Sequence, residues 1–206
     1  MKSIVFLMTV ILLSDALAGS CPDELKEKVQ AYYAIRPAID SLSNSFDHSQ
    51  EGADHEIAIK AELARQYEKL LTGDTLEGLK KYIGRYSYYS EDFCLLLPEK
   101  INGIKSFSCR TNRKGEKILE AKIIRISTYS PLTNIQVKKL ELYYTDYKIS
   151  TPGIRDLKSE LANSENSDLE IESEVEKTFT FIKENEEWKI KNIDEKIISS
   201  LARITK

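Results

Sequence analysis

Two runs of strict alternation with a polar turn between them constrain this chain most. Glu174 to Lys183 alternates, with Phe179 and Phe181 on one face and Thr178, Thr180 and Ile182 on the other. Trp188-Lys189-Ile190-Lys191-Asn192-Ile193 returns after Glu184-Asn185-Glu186-Glu187. Period-two patterns on both sides of a short polar turn predict a β-hairpin. A hairpin needs a partner layer for its apolar face, so the rest of the chain must supply further strands and a cover.

The cover is predicted upstream. Pro22-Asp23-Glu24-Leu25 opens a helix with acids in its first turn, where the helix dipole favours them. Leu25, Val29, Tyr32 and Tyr33 recur at helical spacing, and Pro37 interrupts before a second short segment over 38–46. His55 to Leu71 is the strongest helix, with Ile59, Leu63, Tyr67, Leu70 and Leu71 in one stripe and Gly73 closing it. Asp74 or Thr75 then caps a short helix through Leu76, Leu79 and Tyr82 that stops near Gly84. From residue 85 the period changes. Ser106–Arg110, Ile118–Thr128 and Val137–Ile149 read as strands. Gly153–Ile171 is rich in Ser, Asn, Glu and Asp and reads as an insertion; 197–204 reads as a short terminal helix. Helices followed by long antiparallel strands make an α+β arrangement, with N-terminal helices packed on a curved sheet that forms a cone-like pocket.

The N-terminus predicts export. Lys2 precedes an apolar core over 4–13, and Ala16-Leu17-Ala18 offers small residues two apart. This is the pattern of a signal peptide over 1–18, and the core is shorter than the roughly 20 residues of a spanning helix. The expected location is secreted or periplasmic, with no membrane span. Four segments follow: the signal peptide 1–18, an N-terminal helical segment 19–54, an α+β domain 55–196 and a tail 197–206.

An oxidising destination directs attention to the cysteines: Cys21, Cys94 and Cys109. Cys94 and Cys109 are separated by Pro98 and Asn102-Gly103, which can turn the chain back. Closing a loop of ~15 residues is worth about 3 kcal/mol, so a Cys94–Cys109 disulfide is expected over two free buried thiols. Cys21 is then left over. Ala18-Gly19-Ser20-Cys21 resembles a degenerate lipobox, with Ala18 where Leu is preferred. Lipidation of Cys21, a terminal thiol and an intermolecular disulfide are the three alternatives. An N-terminal lipid anchor would follow from the first.

Thr72-Gly73-Asp74-Thr75-Leu76-Glu77-Gly78-Leu79 is similar to the inter-helix turn of NTF2-like (cystatin-like) cone domains. The closing hairpin, Thr178 to Ile190 with its Trp-Lys-Ile strand, resembles theirs too. The resemblance covers His55 to Asp194 and implies the cone fold. Its enzymatic members use a pocket carboxylate as base with a tyrosine or second acid as oxyanion donor. Asp92, Tyr32 and Tyr88 are the candidates that resemblance suggests here, with Tyr33 and Tyr86 behind them. The bland alternative is that the eleven tyrosines line the core with wet hydroxyls.

Other chemistry is thinly represented. Asp47-His48 and Asp54-His55-Glu56 hold both histidines, but their spacing matches no zinc motif. No Gly-rich phosphate loop, G-x-S-x-G or H-E-x-x-H occurs. No cofactor or metal is expected. Net charge is -3 with acids interleaved among Lys122, Arg125, Lys138 and Lys139, which disfavours nucleic acid as a partner. The function expected is that of an exported, non-enzymatic domain that binds a small apolar ligand or a protein partner. A cofactor-free isomerase or hydratase and a structural or immunity-type interaction module are the alternatives.

Overall fold

The computed structural model describes residues 21–45, 52–87, 96–129 and 168–205. Three helices, α1 (Asp23–Ser45), α2 (Ala53–Leu70) and α3 (Gly73–Arg85), precede four strands, β1 (Ile101–Thr111), β2 (Lys117–Tyr129), β3 (Asp168–Glu184) and β4 (Glu187–Thr205). The strands form one antiparallel sheet in the order β1-β2-β3-β4, so the chain is α+β. The signal peptide, Asp47-His48, Asp92, Cys94, Tyr88 and the strand expected over 137–149 lie outside the described residues.

Two compact units divide the chain. The first comprises 1–99, 107–121 and 178–194; the second comprises 100–106, 122–177 and 195–206.

In the first unit, α1 packs on α2 and α2 on α3. Helix α1 continues through Pro37 rather than breaking there. Pro37 is exposed, while Ile35 and Ile39 on either side of it are buried with Leu25 and Val29. Burial of that stripe offsets the one lost backbone bond. Phe179 and Phe181 of β3 are buried as the alternation predicts, beside Ile59, Leu63 and Tyr67 in the same core. The hairpin turn at Asn185 and Glu186 has φ of 49° and 68°, the left-handed pair that a two-residue turn with the sheet's own twist requires. Gly73 (φ 61°) makes the turn between α2 and α3, where a Cβ would be strained.

Thr72 and Thr75 do not cap α3 with their side chains. The Thr72 hydroxyl donates to Glu184 Oε1 (2.7 Å) and the Thr75 hydroxyl to the Lys191 carbonyl (2.7 Å). The Thr72 N–H donates to the Ile190 carbonyl (3.0 Å), and Leu71 forms a parallel bridge with Ile190. The inter-helix joint therefore covers a stretch of β4 backbone. Lys189 Nζ donates to the Glu68 and Lys69 carbonyls (3.0 and 2.8 Å), placing a cation at the C-terminus of α2.

The second unit contains the other halves of the strands. Residues 197–205 continue β4 and are not a helix, and β3 starts at Asp168, inside the stretch expected to be an insertion. Ile171 and Val175 of β3 are buried with Ile123 of β2, so period-two burial extends the sheet in both directions.

Candidate functional site

The buried row of β3 does not stay apolar. It runs Ile171, Ser173, Val175, Lys177 in the second unit, and the corresponding row of β2 holds Ile123 and Arg125. Both cations point inward and meet Glu195 of β4. Glu195 Oε1 accepts from Arg125 Nη1 at 3.2 Å, and Oε2 lies 2.9 Å from Lys177 Nζ. The side chains are 10%, 8% and 18% exposed for Arg125, Lys177 and Glu195. Charges at this depth are tolerated because each is paired. Four residues along β3, the Ser173 and Ser200 hydroxyls bond at 2.8 Å. Each Glu195 oxygen is already engaged by a cation, which suits a fixed structural carboxylate better than a proton acceptor for a substrate.

The strand geometry around this cluster matters more. In a regular strand, buried and exposed residues alternate without interruption. Along β4 of the second unit, Glu195 and Ile197 are half-buried and Lys196 and Ile198 exposed; then Ser199 is exposed as well and Ser200 is half-buried. The phase has slipped by one residue between Ile198 and Ser199, the signature of a β-bulge. Glu195 and Ser200, five apart, both reach the buried rows of neighbouring strands, which an unbroken alternation forbids. A matching slip occurs in the first unit, where Lys191 and Asn192 are both exposed between Ile190 and Ile193.

The second slip has a surface consequence. Ile198 and Leu201 are three apart and would face opposite ways in a regular strand. The bulge puts both on the face opposite the buried row, where they are 47% and 51% exposed. With Ser173 against Ser200, antiparallel pairing sets Glu172 beside Leu201 and Glu174 beside Ser199 on that same face. Glu170 and Glu176 continue the acidic row along β3. Lys105 of β1 bonds Glu174 at 2.9 Å. That hydrogen bond, with the charges of Lys105 and Lys122, holds the Glu174 carboxyl below the usual glutamate range.

The residues singled out from the sequence are placed differently. The Tyr32 ring packs edge-on against Tyr33 (5.2 Å) and Phe179 (5.9 Å). Tyr67 is deeper, and its hydroxyl donates to the Leu96 carbonyl. Burial, with Tyr32 nearby, pushes its ionisation far above the ordinary tyrosine value. Tyr86 stacks on Tyr82, 6.0 Å between centroids. Among the described residues, no Asp or Glu is among the buried side chains, and no group of three His, Cys, Asp or Glu is placed to hold a metal.

The cysteine pairing is also different. Cys109 is bonded to Cys21, not to Cys94, with Cα atoms 5.0 Å apart. The bond ties Cys21, two residues ahead of α1, to β1 in the first unit. Pro98 and Asn102-Gly103 suggested a short Cys94–Cys109 ring, but the fold decides which thiols meet, and the chain just ahead of α1 lies against Cys109. A Cys21 sulfur in this disulfide has no valence left for a lipid thioether. No helix among the described residues is long and apolar enough to cross a membrane.

Compared with protein-family models, curated proteins and solved structures, the chain matches none. The similarity to NTF2-like domains thus rests on Thr72 to Leu79 and the hairpin residues alone.

Proposed function

We propose that the chain is an exported module that acts by binding a protein partner, through the face of the second unit that carries Ile198 and Leu201. One observation carries this reading. A bulge in β4 brings two large apolar side chains, each about half exposed, onto one face. Exposed apolar residues scattered singly are ordinary on a protein surface; two gathered by a break in the strand's own alternation are a better sign of contact.

Two further features support it. The buried row beneath is fixed by the Arg125–Glu195–Lys177 cluster, which gives the face a rigid base. The Cys21–Cys109 bond suits an oxidising compartment, as the apolar core over 4–13 and Ala16-Leu17-Ala18 do.

The test is a surface double variant, Ile198→Ser with Leu201→Ser. These positions are exposed, so stability should change by no more than about 0.5 kcal/mol per site. Partner recovered by cross-linking in the protein's own compartment should fall at least roughly tenfold relative to the unaltered protein. Undiminished recovery with the double variant sinks this reading.

A further inference from the structure

Asn102-Gly103 is the only Asn-Gly step in the chain. In sequence it is a turn signal, but the fold places it inside β1. It does not lie there as regular strand. Ile101 and Ile104 are half-buried and both residues between them are exposed, so the inward positions are three apart rather than two. An unbroken ladder alternates strictly, and an extra residue between inward positions is the mark of a bulge. β1 is also an edge strand of the described sheet, with β2 on one side only.

Three features leave Asn102 open to attack by the amide that follows it. Its carboxamide makes no hydrogen bond. Gly103 has no Cβ to shield its main-chain nitrogen, and nothing lies within 4 Å of where a Cβ would be. Both residues are exposed, so water reaches them. Asn112, Asn185 and Asn192 differ. Asn112 Oδ1 accepts from the Lys114 and Glu116 N–H groups (2.9 and 3.0 Å), and its Nδ2 donates to Glu116 (2.7 Å). Asn192 donates to Asp194 (2.7 Å) and precedes the β-branched Ile193. Asn185 precedes Glu186 in the hairpin turn.

We propose that Asn102 is a site of spontaneous covalent modification in the folded protein, by deamidation through a succinimide. The Gly103 main-chain nitrogen loses its proton and bonds to Asn102 Cγ. The Cγ–Nδ2 bond breaks and ammonia leaves. Water then opens the succinimide ring at either carbonyl, which gives aspartate or isoaspartate at position 102. Water is the only co-reactant, and no electrons are exchanged. Each event adds a negative charge to the second unit, and the isoaspartyl product routes the main chain of β1 through the side-chain carbon. This chemistry draws on no residue of the contact face proposed above.

The test incubates the disulfide-intact full chain at physiological temperature, at mildly acidic and at mildly alkaline pH. Position 102 is mapped by mass spectrometry, with fragmentation that separates the two products. A synthetic peptide with the sequence of residues 98–107 is incubated beside it. In the native chain, position 102 should gain roughly 1 Da, faster at the higher pH and ahead of Asn112, Asn185 and Asn192. Gly103→Ala should slow this roughly tenfold, because a Cβ then shields the attacking nitrogen. The added methyl group has open space around it, and a thermal midpoint checks that the variant keeps the fold. Conversion in the peptide with none in the native chain overturns the inference, since the strand would then protect the site. Conversion in neither overturns it too. So does conversion that is no faster than at Asn112, or that Gly103→Ala leaves unchanged.

Discussion

Arg125 and Lys177 reach one carboxylate from neighbouring strands, and Glu195 answers each with a different oxygen. Removing one member leaves a buried charge, and breaking a fully buried pair costs about 3–5 kcal/mol. Glu195 keeps 18% of its exposure, so Glu195→Gln should cost less, on the order of 2 kcal/mol. Replacing all three with apolar residues of similar size should recover most of that loss, since hydrophobic substitutes for a buried ionic group are often neutral or better. Urea midpoints at unchanged slope would show both effects. A Glu195→Gln protein as stable as the parent would mean the cluster contributes nothing. The inward charges were legible in principle. Lys177 shares parity with Phe179 and Phe181, and Arg125 with Ile123, so extending the period-two rule past the apolar residues finds them. In the sequence reading Arg125 counts only as one of several cations interleaved with acids, and Lys177 does not figure. Tyr32 was singled out for its chemistry, yet its place in α1 makes it an aromatic contact of Phe179.

At the scale of elements, the helices and the hairpin follow from pattern, and the misread segments have physical causes. Helix α1 survives Pro37 because the apolar stripe continues on the far side, and tertiary burial outweighs local propensity. The end of β4 looked helical because Ile197, Leu201 and Ile204 recur at three- and four-residue intervals. A bulge adds one residue to a two-residue repeat and so makes a three-residue one; a bulged strand imitates a helix in sequence. The disulfide belongs to the same scale. Cys21 and Cys109 are 88 residues apart, and closing a loop of that length is worth roughly 4–5 kcal/mol in the chain-entropy model. Cys21→Ser or Cys109→Ser should therefore lower stability by about 4 kcal/mol, whereas Cys94→Ser should leave the bond in place. Peptide mapping under non-reducing conditions checks the pairing: a Cys94–Cys109 fragment would contradict it.

The whole molecule divides its tasks between two units. In the first, Tyr32 and Tyr33 of α1 pack on Phe179, a disulfide ties the chain ahead of α1 to β1, and the α2–α3 joint covers β4 at Ile190. In the second, long strands present a charged buried row and an amphipathic opposite face. Under the proposed function, the second unit is the part that makes contact. The sequence made the α+β order plain through its change of period near residue 85. It could not reveal the proposed contact face, because that face depends on a one-residue slip with no glycine or proline to mark it.

Site-specific photo-cross-linking tests the contact face most directly. A photoreactive amino acid at position 201, and a control at exposed Lys114 in the β1–β2 turn, would be irradiated in the compartment the protein occupies. A partner adduct at 201, absent at 114, is the predicted result. An adduct at 114 with none at 201 would contradict the account.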